Sequence, residues 1–415
     1  MKDIQRFLKE YGLEEAKKNR QMVFICGPRQ TGKTTLAREF LKEMDCQDLY
    51  FNWDISKTRQ MFREDPTFFE NIARDRERKI TFITFDEIHK GRDWKDRLKG
   101  FFDQFENEFH FIIIGSARLD MLRKKGESLS GRFFLYNLLP LALSECENMD
   151  LNKLWLIDRE SLKNPFSSMM DLCTHKNEKS SYKDLFNLSG FPEPFTKGEE
   201  SFHNKWQHSY VDLVFEQDLK DLTSVKDIDG LEHLLNLLPL RVGRPLSVNS
   251  IREDLKVAHE TVSNWLRILE KLYLTFPLSP YSKKIARSIR KEKKWYFYDW
   301  TRVKEPSFRF ENMLAVSLLR AAKCWEQMGL FKCKIQYIRT IEKKEVDFLI
   351  LIDSKPFALV EAKLSQTDID SHVLKLAKHL GNIPIFQVVH QSGIFKKREE
   401  DSSIISADRF LLNLP

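Results

Sequence analysis

The sequence of 415 residues lacks the features of several special classes of protein. Its six cysteines are dispersed and have no interleaved histidines, which argues against a disulfide framework or a zinc site and fits a reduced compartment. The hydrophobic and charged fractions, 42% and 31%, exclude disordered, collagen-like and coiled-coil chains, and no repeat or low-complexity tract is present. The longest apolar runs, such as residues 111–115 and 346–352, fall short of the ~20 residues that span a bilayer.

The N-terminal residues also lack the apolar core of a signal peptide, so we expect a cytoplasmic protein without a membrane partner. What the chain does have is an uneven charge, with a formal net charge of +7. Residues 241–300 carry 13 Lys and Arg against 6 Asp and Glu, whereas residues 151–240 carry 10 against 15. A basic excess confined to one segment suggests a polyanionic partner.

A short apolar strand at residues 22–26 runs directly into a glycine-rich loop. The loop, GPRQTGKTT, fits Gly-x-x-x-x-Gly-Lys-[Ser/Thr] and precedes a helical stretch. Backbone N–H groups and a helix N-terminus can hold phosphate in such a loop, so we expect ATP to bind here. Lys33 would reach the β- and γ-phosphates, and the Thr34 hydroxyl would bind Mg²⁺. The loop comprises Gly27, Pro28, Arg29, Gln30, Thr31, Gly32, Lys33, Thr34 and Thr35.

A second apolar strand, residues 80–85, ends in two carboxylates, the form of a Walker B strand. We expect Asp86 to bind Mg²⁺ through its water shell and Glu87 to orient and deprotonate the attacking water. The alternative is that the two acids cap the next helix.

The strand at residues 109–115 ends at Ser116, a candidate sensor of the γ-phosphate. Arg118 and Arg132 are candidates for an arginine finger that stabilises charge during hydrolysis. They could equally be surface arginines.

Residues 246–281 have the pattern of two helices, a tight turn and a strand, as in a helix-turn-helix. The next stretch, residues 281–295, carries seven basic residues against one acidic and resembles the wing of a winged helix. Such a hairpin can follow DNA phosphates, but winged helices also serve as lids or protein docks. The candidate DNA contacts are Lys283, Lys284, Arg287 and Arg290.

The last region is predicted to form a helix at 308–327, strands at about 333–339, 346–352 and 357–364, a helix at 369–380 and a strand at 383–389. This order matches the core of PD-(D/E)xK nucleases, and the region also carries acidic residues in their pattern. Glu361 and Lys363 lie two apart on a predicted strand and therefore project from one face. Asp347 and Glu361 would bind Mg²⁺, Glu311 would assist, and Lys363 would position water. The alternative is a nuclease-like fold kept as a scaffold, with these carboxylates in salt bridges.

Six strings resemble those of prokaryotic AAA-type ATPases that carry a C-terminal domain of unknown function. They are GPRQTGKTT, FDEIHK, GSARL, SLSGRFFLYNLLPLALSE, LSGFPEPF and KKWYFYDW. The resemblance covers nearly the whole chain and implies an N-terminal ATPase, a winged-helix middle and a C-terminal nuclease-like fold. One departure is His89, where many members of that family carry Gln; it removes no catalytic group.

These patterns predict an α/β protein in four parts. Residues 1–150 would form a P-loop NTPase parallel sheet with helices on both faces, and residues 151–240 a helical linker or lid. A winged helix at 241–300 and an α/β nuclease-like domain at 301–415 would follow.

The expected function is Mg²⁺-dependent ATP hydrolysis coupled to DNA binding, with metal-dependent DNA cleavage left open. The competing interpretation is a nucleotide-dependent switch that recruits a protein partner around an inactive scaffold. A homo-oligomer is compatible with both.

Overall fold

The computed structural model describes residues 4–115, 129–158, 160–174, 181–219, 227–282 and 292–415. They form one five-stranded sheet, one six-stranded sheet, a two-stranded hairpin and the surrounding helices. No helix within these ranges is long and apolar enough to cross a lipid bilayer.

The N-terminal sheet is entirely parallel, in the order β2-β3-β4-β1-β5. Its strands are β1 (Met22–Cys26), β2 (Tyr50–Asn52), β3 (Thr81–Asp86), β4 (Phe109–Ile114) and β5 (Phe133–Asn137). Every residue of β1 and β3 is buried, as expected for parallel strands covered on both faces. The predicted parallel sheet is confirmed, and β2 and β5 extend it beyond the three strands expected from the sequence.

Helices pack against this sheet through a core rich in phenylalanine. They are α1 (Lys33–Glu43), α2 (Ser56–Glu64), α3 (Phe69–Arg74) and α4 (Trp94–Phe105), preceded by a π-helical turn at Lys9–Glu14. The ring of Phe69 lies 4.9 Å from that of Phe101 and 5.5 Å from that of Phe85, both edge to face. Such pairs contribute about 0.5–1.5 kcal/mol each beyond their burial.

The middle of the chain is helical and ends in a hairpin. The helices are α5 (Leu143–Cys146), α6 (Pro165–Leu172), α7 (Tyr182–Leu188), α8 (Pro192–Lys197), α9 (Glu200–Val214), α10 (Ile228–Leu237), α11 (Val248–Leu255) and α12 (His259–Lys271). Lys256 ends α11 in the left-handed conformation, at φ 53°, a turn position that more often carries glycine. Antiparallel strands β6 (Thr275–Leu278) and β7 (Lys294–Phe297) follow.

The C-terminal sheet has the order β12-β13-β11-β10-β9-β8. Its strands are β8 (Cys333–Arg339), β9 (Glu345–Ile352), β10 (Lys355–Lys363), β11 (Ile385–Val389), β12 (Phe395–Arg398) and β13 (Ser402–Ser406). Its helices are α13 (Pro306–Gln327), α14 (Ser371–His379) and α15 (Ala407–Leu412). The elements up to β11 occur in the order that the sequence predicts, whereas β12, β13 and α15 were not predicted.

Hydrophobic packing divides the chain near residue 138. One core runs from the N-terminal helical turn through β5. A second, larger core contains Phe7 and residues from 139 to 414, and it joins the helical segment, the hairpin and one face of the C-terminal sheet. The boundaries expected near residues 240 and 300 therefore do not coincide with breaks in the core.

Candidate functional site

The glycine-rich loop lies at the carboxyl end of β1 and leads into the first turn of α1. Gly27 has φ 145°, and a Cβ there would lie 2.3 Å from the carbonyl oxygen of Leu138. Gly32 has φ 89° and precedes the first residue of α1. Only glycine adopts both conformations without strain, so the loop can place its N–H groups close to a phosphate at the helix N-terminus.

Lys33 folds back onto this loop. Its Nζ donates to the carbonyl oxygens of Gly27 at 3.0 Å and Pro28 at 2.6 Å. Burial lowers the pKa of Lys33, and the nearby carboxylates of Glu87 and Asp86 oppose that shift. A phosphate would compete well for this ammonium, because it offers full negative charge where the carbonyls offer only dipoles.

Thr34 and Asp86 meet between the loop and β3. The Thr34 hydroxyl donates to Asp86 Oδ2 at 2.8 Å, and the Tyr50 hydroxyl donates to the same oxygen at 2.5 Å. Asp86 is buried. Because Mg²⁺ prefers hydroxyl and carboxylate oxygens, this pair fits an ion that accompanies a nucleotide. The sequence did not single out Tyr50, although it lies on the strand paired with β3.

Glu87 follows β3 in the left-handed conformation, at φ 58°, which is uncommon for a residue with a side chain. Among the described residues its buried Oε2 makes no hydrogen bond, and it lies 3.4 Å from both Lys90 Nζ and His89 Nε2. Burial raises the pKa of Glu87, and Lys90 opposes the shift. Such a carboxylate suits proton abstraction from water. Glu87 precedes the helical turn Ile88–Lys90 but makes no side-chain capping bond, so the helix-capping alternative lacks support for this residue.

A cavity of about 870 Å³ adjoins these groups. The loop, Asp86 and Glu87 line it together with side chains of α8, among them Pro192 and Lys197. Its size falls in the range of small-molecule sites. The helical segment therefore forms one wall of the nucleotide site.

Two side chains of the loop bind that helical segment directly. Arg29 donates to both carboxylate oxygens of Asp218, at 2.6 and 2.8 Å. Asp218 is buried and lies in the π-helical turn Phe215–Leu219, which continues α9. Next to it, Trp206 Nε1 donates to Gln30 Oε1 at 2.6 Å. Arg29 and Gln30, which occupy unspecified positions of the loop motif, thus link the nucleotide site to α9. The sequence did not indicate that Asp218 and Trp206 would be their partners.

A buried ion cluster joins the loop to the C-terminal part of the chain. Arg6 Nη1 donates to the carbonyl oxygen of Thr31 at 2.7 Å, and Arg6 Nε lies 3.2 Å from the Glu145 carboxylate. Arg320, on α13, donates to the same carboxylate at 2.7 Å. The two arginines hold the pKa of Glu145 below its usual value although burial raises it.

The structure does not bring Arg132 to this site. Its carbonyl oxygen accepts from the N–H of Met22, at the opposite end of β1 from the loop, and its guanidinium pairs with Asp103 at 2.7 Å. The prediction that Arg132 acts as an arginine finger in its own chain is therefore wrong. Ser116 and Arg118 lie outside the described residues.

The predicted nuclease carboxylates do converge, but a lysine lies among them. Lys294, the first residue of β7, places Nζ 3.1 Å from Glu311, 3.1 Å from Glu345 and 3.6 Å from Asp347. We call these four residues the Lys294 cluster. Burial lowers the pKa of Lys294, but the three carboxylates outweigh that effect and raise it. Residue 294 therefore belongs to the interior and not to a DNA-facing wing.

The remaining two residues of the nuclease pattern lie beside this cluster. Lys363 Nζ is 3.2 Å from Glu361 Oε2, so the pair shares one face of β10 as predicted. Glu361 Oε1 accepts from the N–H of Asp347 at 3.3 Å. Burial and the neighbouring Asp347 raise the pKa of Glu361 to about 8. Burial and Asp347 likewise raise the pKa of Glu311 to about 6, and Lys294 opposes this shift.

The expectation that Glu311, Asp347 and Glu361 hold Mg²⁺ is not met. Across the part of the chain that the structure describes, no group of three or more His, Cys, Asp or Glu side chains is arranged to hold a metal ion. The physical reason is that the Lys294 ammonium and the Lys363 ammonium already pair with these carboxylates.

The structure describes only some of the predicted DNA-binding elements. Within α12, His259, Asn264 and Arg267 are exposed, as expected for the second helix of a helix-turn-helix. The basic residues proposed to contact phosphates lie outside the described residues. They are Lys283, Lys284, Arg287 and Arg290.

Residues 19–147 match the family model described as an AAA domain, which agrees with the loop and Walker B geometry. The N-terminal part of the chain is therefore similar to AAA-type ATPase domains. Residues 179–301 match a domain of unknown function (DUF8612). The second match runs across the boundary that the sequence suggests between residues 240 and 241.

Longer similarities are weak. The chain is 22% identical over 364 residues to the uncharacterized protein Rv2008c of Mycobacterium tuberculosis, covering 86% of this chain and 73% of the relative. It is 23% identical over 378 residues to the uncharacterized protein MJ1544 of Methanocaldococcus jannaschii, covering 88% and 80%. Among solved structures, AMPPCP-bound DnaA from Aquifex aeolicus is 15% identical, with a TM-score of 0.29, covering 64% of this chain and 88% of that one.

Proposed function

We propose that this protein is a Mg²⁺-dependent ATPase that couples its nucleotide state to a DNA-binding module in the middle of the chain. The observation that carries the ATPase part is the convergence of the loop, Lys33, Thr34, Asp86 and Glu87 on one cavity. Bound Mg²⁺ would neutralise phosphate charge during hydrolysis.

Each side chain has a distinct role in this proposal. Lys33 binds the β- and γ-phosphates after leaving the carbonyl oxygens of Gly27 and Pro28. Thr34 and Asp86 would hold the metal, and their present hydrogen bond shows that their oxygens already lie together. Glu87 orients the attacking water and accepts its proton, and Oε2, which makes no hydrogen bond within the described residues, supplies the acceptor.

Coupling to the rest of the chain would run through the loop side chains. Arg29 and Gln30 bind Asp218 and Trp206 in this structure. A nucleotide in the cavity brings several negative charges near Arg29, which compete with Asp218 for the guanidinium. The helical segment that carries Asp218 then changes its position, and this is how nucleotide state would reach α10 to α12.

DNA is the proposed partner of the middle segment. The support is the exposed polar face of α12 and the excess of 13 basic over 6 acidic residues within 241–300. A winged helix would place α12 in the major groove and use the basic stretch for phosphate contacts.

A second candidate is a nucleotide-dependent switch that recruits a protein. It is favoured by the continuous core from residue 139 to 414, which makes the middle segment part of a larger body. The switch predicts little DNA affinity and weak dependence on salt. An arginine finger could come from Arg118, which lies outside the described residues, or from a neighbouring copy in a homo-oligomer.

The decisive experiment measures ATP hydrolysis with and without single- and double-stranded DNA. We expect Lys33→Ala to abolish nucleotide binding, and DNA to change the rate of the wild-type protein. DNA affinity should fall steeply with salt and should be lost when Lys283, Lys284, Arg287 and Arg290 are reversed to Glu. Lys153→Glu, at a side chain that is 77% exposed, is the matched control. ATP turnover without any DNA affinity would favour the switch.

A further inference from the structure

The Lys294 cluster contains a cation that belongs to the protein itself. Lys294 is only 1% exposed, and its ammonium has three N–H donors facing the carboxylates of Glu311, Glu345 and Asp347. A buried ammonium with three carboxylates is fully paired, which is what makes its burial tolerable.

The surroundings hold this ammonium in place. It lies 5.5 Å from the centre of the Tyr337 ring, whose face attracts a cation. The backbone of β7 is fixed to α13 by two bonds, because Asn312 Nδ2 donates to the carbonyl oxygen of Phe297 and Asn312 Oδ1 accepts from its N–H. The strand that carries Lys294 is therefore anchored to the helix that carries Glu311.

The carboxylate of Glu311 is fixed from two sides as well. Oε1 accepts from the Tyr296 hydroxyl at 2.7 Å in addition to Lys294. Oε2 lies against Gly243, where an added Cβ would come within 2.8 Å of it. Glu311 thus has its partners already, and no side chain larger than glycine fits at position 243 without a shift.

A divalent metal does not fit this arrangement. Mg²⁺ and Ca²⁺ bind carboxylate oxygens at about 2.0–2.6 Å, and the point between Glu311, Glu345 and Asp347 is filled by the Lys294 Nζ at 3.1–3.6 Å. A metal beside it would place two buried cations in contact. The acidic residues of the nuclease pattern are present in the sequence, but the Lys294 ammonium lies in the space beside Glu311 and Asp347 where a metal would bind.

We propose that Lys294 is the resident cation of this cluster and that it takes the place of a divalent metal, so that the nuclease-like residues form an ion-paired joint between the hairpin and the C-terminal sheet. The carboxylates come from α13 and β9, and the ammonium comes from β7. The joint therefore ties together three segments that are distant in the chain. This inference does not depend on the nucleotide site and stands or fails separately from the proposed function.

The test is Mn²⁺ binding to the full-length protein without nucleotide, followed by electron paramagnetic resonance. We expect wild type and Asp347→Asn to bind the same number of Mn²⁺ ions, because the wild-type cluster holds none. Lys294→Met should gain one site, and Lys294→Met with Asp347→Asn should lose it again. Lys294→Arg keeps a cation in the cluster and should gain none. Mn²⁺ should also raise the unfolding temperature of Lys294→Met, but not that of wild type.

Two results would overturn the proposal. One is a Mn²⁺ site in wild type that disappears in Asp347→Asn but persists in Asp368→Asn, a control at a side chain that is 97% exposed. The other is a folded Lys294→Met that gains no site, with folding checked by its circular dichroism and unchanged ATP affinity. If Lys294→Met does not fold, the wild-type and Asp347→Asn comparison still decides the question.

Discussion

The ion pair between Arg29 and Asp218 gives the most direct test of coupling between the nucleotide and the helical segment. We consider Asp218→Asn, which keeps the shape of the side chain and removes its charge. In the wild-type structure the pair is bidentate, and the two side chains are 16% and 5% exposed. After the substitution, Arg29 keeps its charge but loses its only carboxylate at hydrogen-bond distance among the contacts that the structure describes.

The magnitude follows from this burial. Removing one partner of a fully buried pair costs about 3–5 kcal/mol. Because Arg29 opens onto the cavity and can be solvated there, we expect a smaller loss of about 2–3 kcal/mol in the nucleotide-free state. If ATP draws Arg29 away from Asp218, wild type gives up about 1–2 kcal/mol of pairing when ATP binds. Asp218→Asn has already lost that pairing, so it should bind ATP about 5–30-fold more tightly.

The assay combines thermal unfolding with titration of a fluorescent ATP analogue. Asp212→Asn, at an exposed position of the same helix, is the matched control and should change neither quantity. The coupling would be refuted if Asp218→Asn lowered the unfolding temperature but left ATP affinity unchanged, since Arg29 would then not move toward phosphate. Weaker ATP binding would also refute it, because Asp218 would then be holding Arg29 in its binding position.

Two further predictions concern buried carboxylates. Glu87→Gln should lower kcat by about 10²–10⁴-fold with ATP affinity nearly unchanged, and the raised pKa of Glu87 should move the acidic limb of the wild-type pH–rate profile above that of an ordinary glutamate. A normal rate in Glu87→Gln would show that another group acts as the general base. Glu145→Gln should destabilise the protein by about 3–5 kcal/mol at pH 7, because it leaves Arg6 and Arg320 buried without their carboxylate. The folded-state pKa of Glu145 is lowered, so this contribution is complete above the unfolded pKa of about 4.3 and is lost as pH falls below it. The free energies of unfolding of wild type and Glu145→Gln, measured from pH 7 to pH 3, check this prediction. Glu160→Gln is the exposed control. A difference in free energy between wild type and Glu145→Gln that does not shrink in acid would contradict the assignment.

The nucleotide site was largely predictable from sequence because its signals are local. A loop of nine residues carries its own backbone requirements, and Gly27 and Gly32 adopt the positive φ that those requirements imply. Asp86 and Glu87 follow a buried strand of the same parallel sheet, so their position at its carboxyl edge follows from topology. Secondary structure in the C-terminal region was predicted up to β11 for the same reason, since each element has its own apolar pattern.

The errors arise where a side chain finds a partner far along the chain. Lys294 stands in a run of basic residues, and only the pairing of β7 with β6 and its packing on α13 bury it among carboxylates. Arg132 follows the glycine of SLSGR, but the direction of β5 places it at the wrong end of the sheet. Asp218 carries no motif at all, and its contact with Arg29 spans 189 positions. A single sequence contains no pattern that indicates contacts between residues so far apart in the chain.

Two of the contacts between the loop and the rest of the molecule involve arginines, Arg6 and Arg29, and the difference between them suggests which parts nucleotide can move. Arg6, Glu145 and Arg320 are buried, and both arginines pair with the one carboxylate, so the tie to α13 resists disruption. Arg6 and Arg29 both line the cavity, but the Arg29 side chain is 16% exposed against 8% for Arg6, so a phosphate reaches Arg29 more readily as an alternative partner. A ligand shifts a conformational equilibrium only through differential contacts with the two states, and of these two contacts Arg29–Asp218 is the one that a bound phosphate can exchange. Nucleotide should therefore displace the turn that carries Asp218, while the ion pairs that tie the N-terminal domain to α13 stay in place.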